Sequence, residues 1–366
     1  MTWRVAITDA AGAEEIADLG WSWLSFTHVL NGPGSAEIRL PMSEADRADV
    51  EPGVKRYKIY QGSTLRAAGR IWIARVNTRY SEQEVRLIGE GLGGSFTRRL
   101  IGWEAAYFPD LTSPTYPAVQ YGLSQEEMIF DLIDRSQAEE GGDLGITQGT
   151  HTGGSHPRKR WYCEEHGVRI SDVIEEISGL ADGIDWAITP TLTDTADSEF
   201  TTWNPSRGTD LSGTVHIAGT DILDVLEMEI DARQIITRGR SVIKGDCDPY
   251  VATLTDSSVL DYGLLEKFEP AESDQEEDAD ETAEALLSIA PIVDTDVEYQ
   301  LSAGPALGTF DVGDTIRVSS AREGWGFDVD GRVQEVEVRA QLPDDDDHTF
   351  VRVAFSEIRA LDLESS

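Results

Sequence analysis

The chain has 366 residues and carries 68 Asp and Glu against 30 Lys and Arg, a formal net charge of -38. That length exceeds the roughly 100–200 residues of a typical domain, so two or three domains or one elaborated β-rich unit is expected; with 40 % hydrophobic and 27 % charged residues, wholesale disorder is excluded. A surface this negative repels phosphate backbones, which excludes duplex binding through a broad basic face.

Two cysteines cannot staple a chain of this size, so stability must come from buried area or from partners. No apolar run approaches the ~20 residues that span a bilayer. The opening Met1-Thr-Trp-Arg-Val lacks the basic and apolar stretches of a secretory signal. Only five lysines occur (Lys55, Lys58, Lys159, Lys244 and Lys267), so arginine carries most of the positive charge. Strong acidity with scarce lysine resembles the proteins of salt-loving archaea. In molar salt the Debye length shrinks to about 3 Å, and self-repulsion becomes tolerable. An ordinary acidic protein from a GC-rich genome is the competing reading.

Residues 1–100 read as β-rich. Trp3 to Ile7 and Trp21 to Phe26 alternate, and Ala36 to Leu40 follows the turn cluster Asn31-Gly-Pro-Gly. Tyr57-Lys-Ile-Tyr, Gly69 to Val76 and Glu84 to Ile88 continue the pattern. Short strands separated by turn signals predict a sandwich or barrel. Residues 101–210 change character and open with a Pro- and Tyr-rich stretch, Tyr107 through Tyr121, that reads as an irregular loop. Ser124-Gln-Glu-Glu127 is a capping box, followed by the apolar stripe Met128, Ile129, Leu132 and Ile133. A second helix is predicted from Ser171, with Val173, Ile174, Ile177 and Leu180 on one face, ending near Gly183. The strand Ile184 to Ile188 and its partner Glu199 to Trp203 complete a small α/β insertion.

From about Leu211 the β pattern returns at Thr214 to Ile217, Ile222 to Ile230, Ser241 to Lys244 and Tyr250 to Leu254. Within the stretch 269–290, Glu269 to Glu284 holds nine acidic residues and no basic one. Its first half reads as a solvated linker, and Thr282 to Ile289 as helix. Strands follow at Thr315 to Val318, Gly331 to Val338 and Phe350 to Phe355. The predicted class is mainly β with an α/β insertion, divided at 1–100, 101–210 and 211–366.

Chemistry-bearing motifs are few. Gly89-Glu-Gly-Leu-Gly-Gly94 satisfies G-x-G-x-x-G, but no long helix and no second parallel strand with an acidic ribose ligand follows. A glycine-rich turn is the expectation. His151, His156, Cys163 and His166 are candidate metal ligands, because imidazole and thiolate suit zinc and Cys163-x-x-His166 is tight enough to chelate. The competing reading is polar loop histidines beside one partly buried cysteine. Asp344 to Asp347, with Asp328 and Asp330 nearby, lacks the glycine-anchored alternation of a calcium loop and reads as a solvated hairpin turn between Val338 and Phe350. His28 and His216 lie in strand-like runs, as core-edge residues rather than bases. No catalytic constellation emerges, so no enzyme activity and no cofactor beyond that metal is expected.

The order of features resembles the tail hub, or minor tail, proteins of long-tailed viruses of bacteria and archaea. The residues that carry the resemblance are Asn31-Gly-Pro-Gly-Ser-Ala-Glu-Ile-Arg-Leu-Pro, Tyr57-Lys-Ile-Tyr-Gln-Gly, Gly69-Arg-Ile-Trp-Ile and Arg86-Leu-Ile-Gly-Glu-Gly-Leu. They continue with Ser171-Asp-Val-Ile-Glu-Glu-Ile, Gly183-Ile-Asp-Trp, Tyr262-Gly-Leu-Leu-Glu, Phe310-Asp-Val-Gly-Asp-Thr-Ile-Arg-Val and Arg332-Val-Gln-Glu-Val. The extreme acidity and the Gly/His loop 149–157 depart from the family pattern.

The resemblance implies two tube-type β-barrel domains flanking a small α/β domain, and a homotrimer that adapts a hexameric tail tube to the tail tip and passes DNA through its lumen. The implied partners are the tail tube or distal tail protein, spike or fibre proteins and the tape measure protein, without specific nucleic-acid binding or a membrane span. The implied location is the virion tail tip, after synthesis in the host cytoplasm, and any lytic domain is expected on a separate protein. The alternative is a receptor-binding or glycan-degrading tail protein.

Overall fold

The computed structural model describes residues 2–9, 15–79, 82–101, 105–108, 119–121, 123–152, 160–162, 167–179, 183–191, 198–204, 206–219, 222–231, 236–243, 250–257, 264–270, 276–287, 292–322, 325–342 and 348–359. The first β region holds β1 (Trp3–Thr8), β2 (Glu15–Leu19), β3 (Trp23–Val29), β4 (Ser35–Pro41), β5 (Arg56–Gln61), β6 (Thr64–Arg79) and β7 (Glu82–Gly91). β4 shows why its sequence makes a strand: Ala36, Ile38 and Leu40 are buried while their neighbours face outward, the period-2 pattern of a half-buried strand. The short helix α1 (Met42–Ala48) and β2 have no counterpart among the sequence expectations. α1 is about two turns long, anchored by buried Ala45 and Ala48 with Met42 packed against the core.

The insertion contains β8 (Ala105–Phe108), β9 (Val119–Tyr121), α2 (Gln125–Ala138), β10 (Ile146–Thr152), β11 (Arg160–Tyr162), α3 (Ile170–Ser178), β12 (Asp185–Pro190) and β13 (Ser198–Trp203). Ser124 caps α2 as its sequence dictates: its hydroxyl accepts from the Glu127 N–H at 3.3 Å, and the Glu127 carboxylate accepts from the Ser124 N–H at 2.8 Å. α3 starts at Ile170, ahead of the predicted Ser171, because the Asp172 carboxylate accepts from the Arg169 N–H at 3.2 Å; it stops at Ser178, short of Gly183. The predicted pair β12–β13 is antiparallel, with Trp186 opposite Thr202, and β10 joins β13 in parallel. The segment read as an irregular loop carries β8 and β9 at its ends, in a small sheet with β11.

The last region holds β14 (His216–Ile217), β15 (Ile222–Asp231), β16 (Arg238–Val242), β17 (Val251–Thr255), β18 (Glu266–Pro270), β19 (Ile292–Gln300), β20 (Thr315–Arg322), β21 (Trp325–Gln341) and β22 (Thr349–Arg359). An acidic helix, Glu276–Ala285, begins inside the stretch read as a linker. Its buried Ala279 and Ala283, one turn apart, pack on Ile243 and Ala252 of the small sheet β17-β16-β18.

The molecule is mainly β, and its two β regions share one hydrogen-bonded sheet with the order β15-β19-β22-β21-β3-β4-β7-β6-β5-β1-β2, with β20 and β14 branching from β21. β21 of the last region pairs antiparallel with β3 of the first, Val338 opposite Phe26. One core therefore spans both regions, from Trp3, Leu24, Phe26 and Ile59 to Val297, Tyr299, Val338 and Val353. Among the described residues the ladder runs open from β15 to β2. A second core fills the insertion, where Trp186 stacks on Phe200 at 5.4 Å; Leu92 and Phe96 reach into it from the end of the first region.

Candidate functional site

Of the residues singled out by chemistry, only some fall among the described residues. His151 lies exposed on β10, its ring 6.0 Å from that of Phe130, whereas His156, Cys163 and His166 lie outside the described residues. Among the described residues no group of three His, Cys, Asp or Glu side chains is placed to hold a metal. Asp344 to Asp347 also lie outside the described residues, although β21 and β22 pair up to Ala340 opposite Thr349, as a hairpin requires. Asp328 is engaged by the Arg317 guanidinium, whose hydrogen bond holds its carboxyl below the ordinary value. His216 is exposed, with Nε2 2.7 Å from the Ser319 hydroxyl.

The Gly89–Gly94 stretch is a packing device. A Cβ on Gly89 would lie 2.6 Å from the Tyr57 ring, and one on Gly91 would lie 1.9 Å from the Pro33 carbonyl oxygen. The glycines end β7 and enter a 3-10 turn, Leu92–Arg98, rather than the long helix a dinucleotide loop needs.

Four sequence patterns that carry the family resemblance meet in one charged seam. Asn31, at φ 57° in the turn after β3, grips β12: its side-chain oxygen accepts from the Trp186 N–H at 2.7 Å and its amide donates to Asp185 Oδ1 at 3.0 Å. The other Asp185 oxygen accepts from the Arg207 N–H at 2.7 Å and from the Arg332 guanidinium on β21. Arg207 stacks on the Trp203 ring at 4.5 Å and donates to Asp311 Oδ2 at 2.7 Å. Asp311 also accepts from the Val312 N–H at 2.8 Å and has His28 Nδ1 at 3.9 Å. Burial alone would raise the Asp311 carboxyl, but His28, Arg207 and the Val312 N–H carry it down to about 2. His28 Nε2 lies 2.8 Å from the Arg66 carbonyl oxygen, an acceptor, so Nε2 donates and fixes the ring orientation with Nδ1 towards Asp311.

The seam thus ties the first β region, the insertion and the last β region through Asn31, Asp185, Arg207, Asp311 and Arg332. Sequence reading placed Asn31 in a turn and Asp185 in a strand; nothing local marks either as a cross-link between regions. The adjacent cleft, lined in part by His28, Pro33, Tyr57 and Arg207, has about 30 Å³ of free space, enough for one or two waters and too little for a substrate.

The sheet itself presents a polar face across β19, β22, β21, β3, β4, β7 and β6. On β19, β22 and β21 the Arg352 guanidinium binds Asp296 and lies 3.9 Å from Glu337, while Arg339 binds Glu298 and lies 3.7 Å from Glu337. Further along, Glu37 on β4 binds both Arg39, at 3.2 Å, and Arg86 on β7. These are cross-strand neighbours: Arg352 stands opposite both Glu298 and Glu337, and Arg39 opposite Arg86. Arg39 also covers the Trp23 ring at 4.8 Å. The face is a lattice of cross-strand ion pairs, although the buried Nε atoms of Arg86, Arg339 and Arg352 have no hydrogen-bond partner among the described residues; carboxylates gather at the β19 end and arginines at the β6 end, where Arg75 stands opposite Arg86.

No known protein family and no curated protein matches the sequence. The fold, however, matches solved tail proteins over nearly the whole chain. A tail protein from Neisseria meningitidis superposes with a TM-score of 0.60 at 13% identity, covering 98% of this chain and 97% of its own. The 43 kDa tail protein of prophage MuSo2 from Shewanella oneidensis gives 0.58 at 12% identity, covering 96% and 97%. A prophage tail protein from Listeria monocytogenes gives 0.57 at 12% identity, covering 98% and 94%. The chain therefore has the fold of phage tail proteins. Among the described residues no helix is long and apolar enough to cross a membrane.

Proposed function

We propose that this chain is a structural virion protein, the hub of a tail tip, assembling as a homotrimer that adapts the hexameric tail tube to a three-fold tip. Support comes first from the fold, shared almost end to end with tail proteins. It comes second from the joined sheet: two β regions in one chain, tied by β3–β21, give a three-fold ring six similar β units to face six-fold neighbours. In this reading each β region acts as a tube-type barrel domain and the insertion, 101–210, sits beside them. The hub contacts the tail tube or distal tail protein, the tape measure protein, and a spike or fibre.

The polar sheet face is the observation that carries the role. Arg39, Arg86, Arg339 and Arg352 on it are engaged by Glu37, Asp296, Glu298 and Glu337. Such a face is hydrated but offers few bare cations to a phosphate, which suits the wall of a channel that DNA must traverse without sticking. The reading has no catalytic step. It also takes the scarcity of lysine and the charge of -38 as adaptation to high salt, with a haloarchaeal tailed virus as the source.

The test is imaging of tails assembled with and without this protein. Three copies below the tube and above the spike are expected. Normal tails in its absence would overturn the hub reading, and cleavage of envelope glycans abolished by one Asp or Glu substitution would replace it with the degrading one.

A further inference from the structure

In a chain with more than twice as many acidic as basic residues, four arginines gather at one place where the first β region meets the insertion. Arg56 on β5 is almost fully buried and donates to the Asp143 carbonyl oxygen at 3.4 Å. Arg70 and Trp72 lie on β6, and Arg98 and Arg99 close the 3-10 turn that follows β7. The Arg98 guanidinium lies 4.1 Å from the Trp72 ring centre, and that of Arg70 lies 5.5 Å from it.

The carboxylate facing Arg70 across the ladder, Glu90, is instead bound by Arg98 at 3.2 Å. Arg70 forms no ion pair among the described residues, and its buried Nε has no hydrogen-bond partner there. Arg99 spends Nη1 on the Ser136 carbonyl and hydroxyl at 3.0 and 2.8 Å. Burial first, and then the charges of neighbouring arginines, lowers both Arg70 and Arg99 from their ordinary values. Guanidinium does not deprotonate in proteins, so the repulsion stands in the fold; Asp143 offsets part of it at Arg99, whereas at Arg70 only burial and neighbouring arginines act.

The surroundings argue that the anion arrives on a protein. Trp72 is half-buried, Ile73 is 42% exposed and Leu100 is 55% exposed, so apolar surface borders the guanidiniums. Trp and Arg beside apolar area is the composition of an interface anchor. A second copy of this chain, at a formal net charge of -38, offers carboxylates over most of its surface, and a ring of identical subunits brings unlike faces of neighbouring copies together. We propose that the Arg70–Arg98–Arg99 cluster with Trp72 is a docking socket for carboxylates of a second copy of this chain. The proposal rests on the ring reading above and names the contact that closes the ring.

Sedimentation velocity of the full chain at moderate salt tests it, with Arg70→Gln/Arg98→Gln set against Arg47→Gln, a control on α1. Circular dichroism confirms that each variant folds. The single Arg98→Gln, whose side chain is half exposed, serves if the double variant does not fold. The expected result is self-association weakened about tenfold or more in the socket variants and unchanged in the control. Equal assembly of wild type and socket variants would overturn the socket while leaving the ring reading intact. Wild type that stays monomeric, alone and with tail tubes, would overturn the ring reading and the socket with it. Inorganic phosphate that binds at Arg70 and Arg98 without affecting assembly would assign the socket to a free anion and equally overturn the proposal.

Discussion

Asp185 illustrates how one side chain holds distant parts of the chain together. Its two oxygens serve Asn31, Arg207 and Arg332, and it is only 11% exposed, against 16% for its partner Arg332. Removing it strands a nearly buried guanidinium, so Asp185→Ala is expected to lose about 3 kcal/mol in urea unfolding. Asp311 gives a pH signature. Its carboxyl lies at about 2 in the folded protein against an ordinary 3.8, so its stabilisation is complete above pH 4 and is lost as pH falls towards 2. Acid titration of stability should therefore be shallower between pH 4 and 2 in Asp311→Asn than in the wild type. An identical acid limb in both proteins would show that the seam does not depend on that charge.

At the scale of elements, local chemistry decided helix starts more firmly than strand partners. The Ser124 capping box is legible in four residues and stands in the structure, so Ser124→Ala should cost about 1 kcal/mol of thermal or urea stability. The acidic helix was half legible. Its buried positions Ala279, Ala283 and Leu286 follow helical spacing, but alanines among carboxylates give a weak apolar stripe. β19 escaped notice although Val297 and Tyr299 lie in the core, because Asp294, Asp296 and Glu298 alternate with them in a segment already dense in acid. β18 is exposed at all five positions, so no burial pattern exists to read. Of the candidate metal ligands only His151 falls among the described residues; backbone pairing on β10 sets it opposite Thr202, a placement that its spacing from His156 and Cys163 does not encode.

For the whole molecule, charge dominates. A net charge of -38 per copy opposes both compaction and assembly at low ionic strength, since exposed charges then repel over tens of ångströms. Melting temperature is expected to rise steeply from tens of millimolar to molar salt, and ring assembly to follow the same dependence. A melting temperature independent of salt would remove the high-salt adaptation. The ion-paired sheet face should contribute little to that dependence, because half-buried cross-strand pairs are screened less than exposed charges.

The sequence by itself determined the class, mainly β, and the positions of most strands and of the capped helix. Those depend on period-2 burial and on hydrogen bonds within a few residues. Only the tertiary structure decided that β3 and β21, some 300 residues apart in the chain, are neighbours, that one core serves both β regions, and that Asn31, Asp185, Arg207, Asp311 and Arg332 form a single network. The reason is physical. Alternation fixes which face of a strand is buried, but many strands share that pattern. Partner choice follows from the summed fit of backbone ladders, core volumes and charge pairs across the whole sheet.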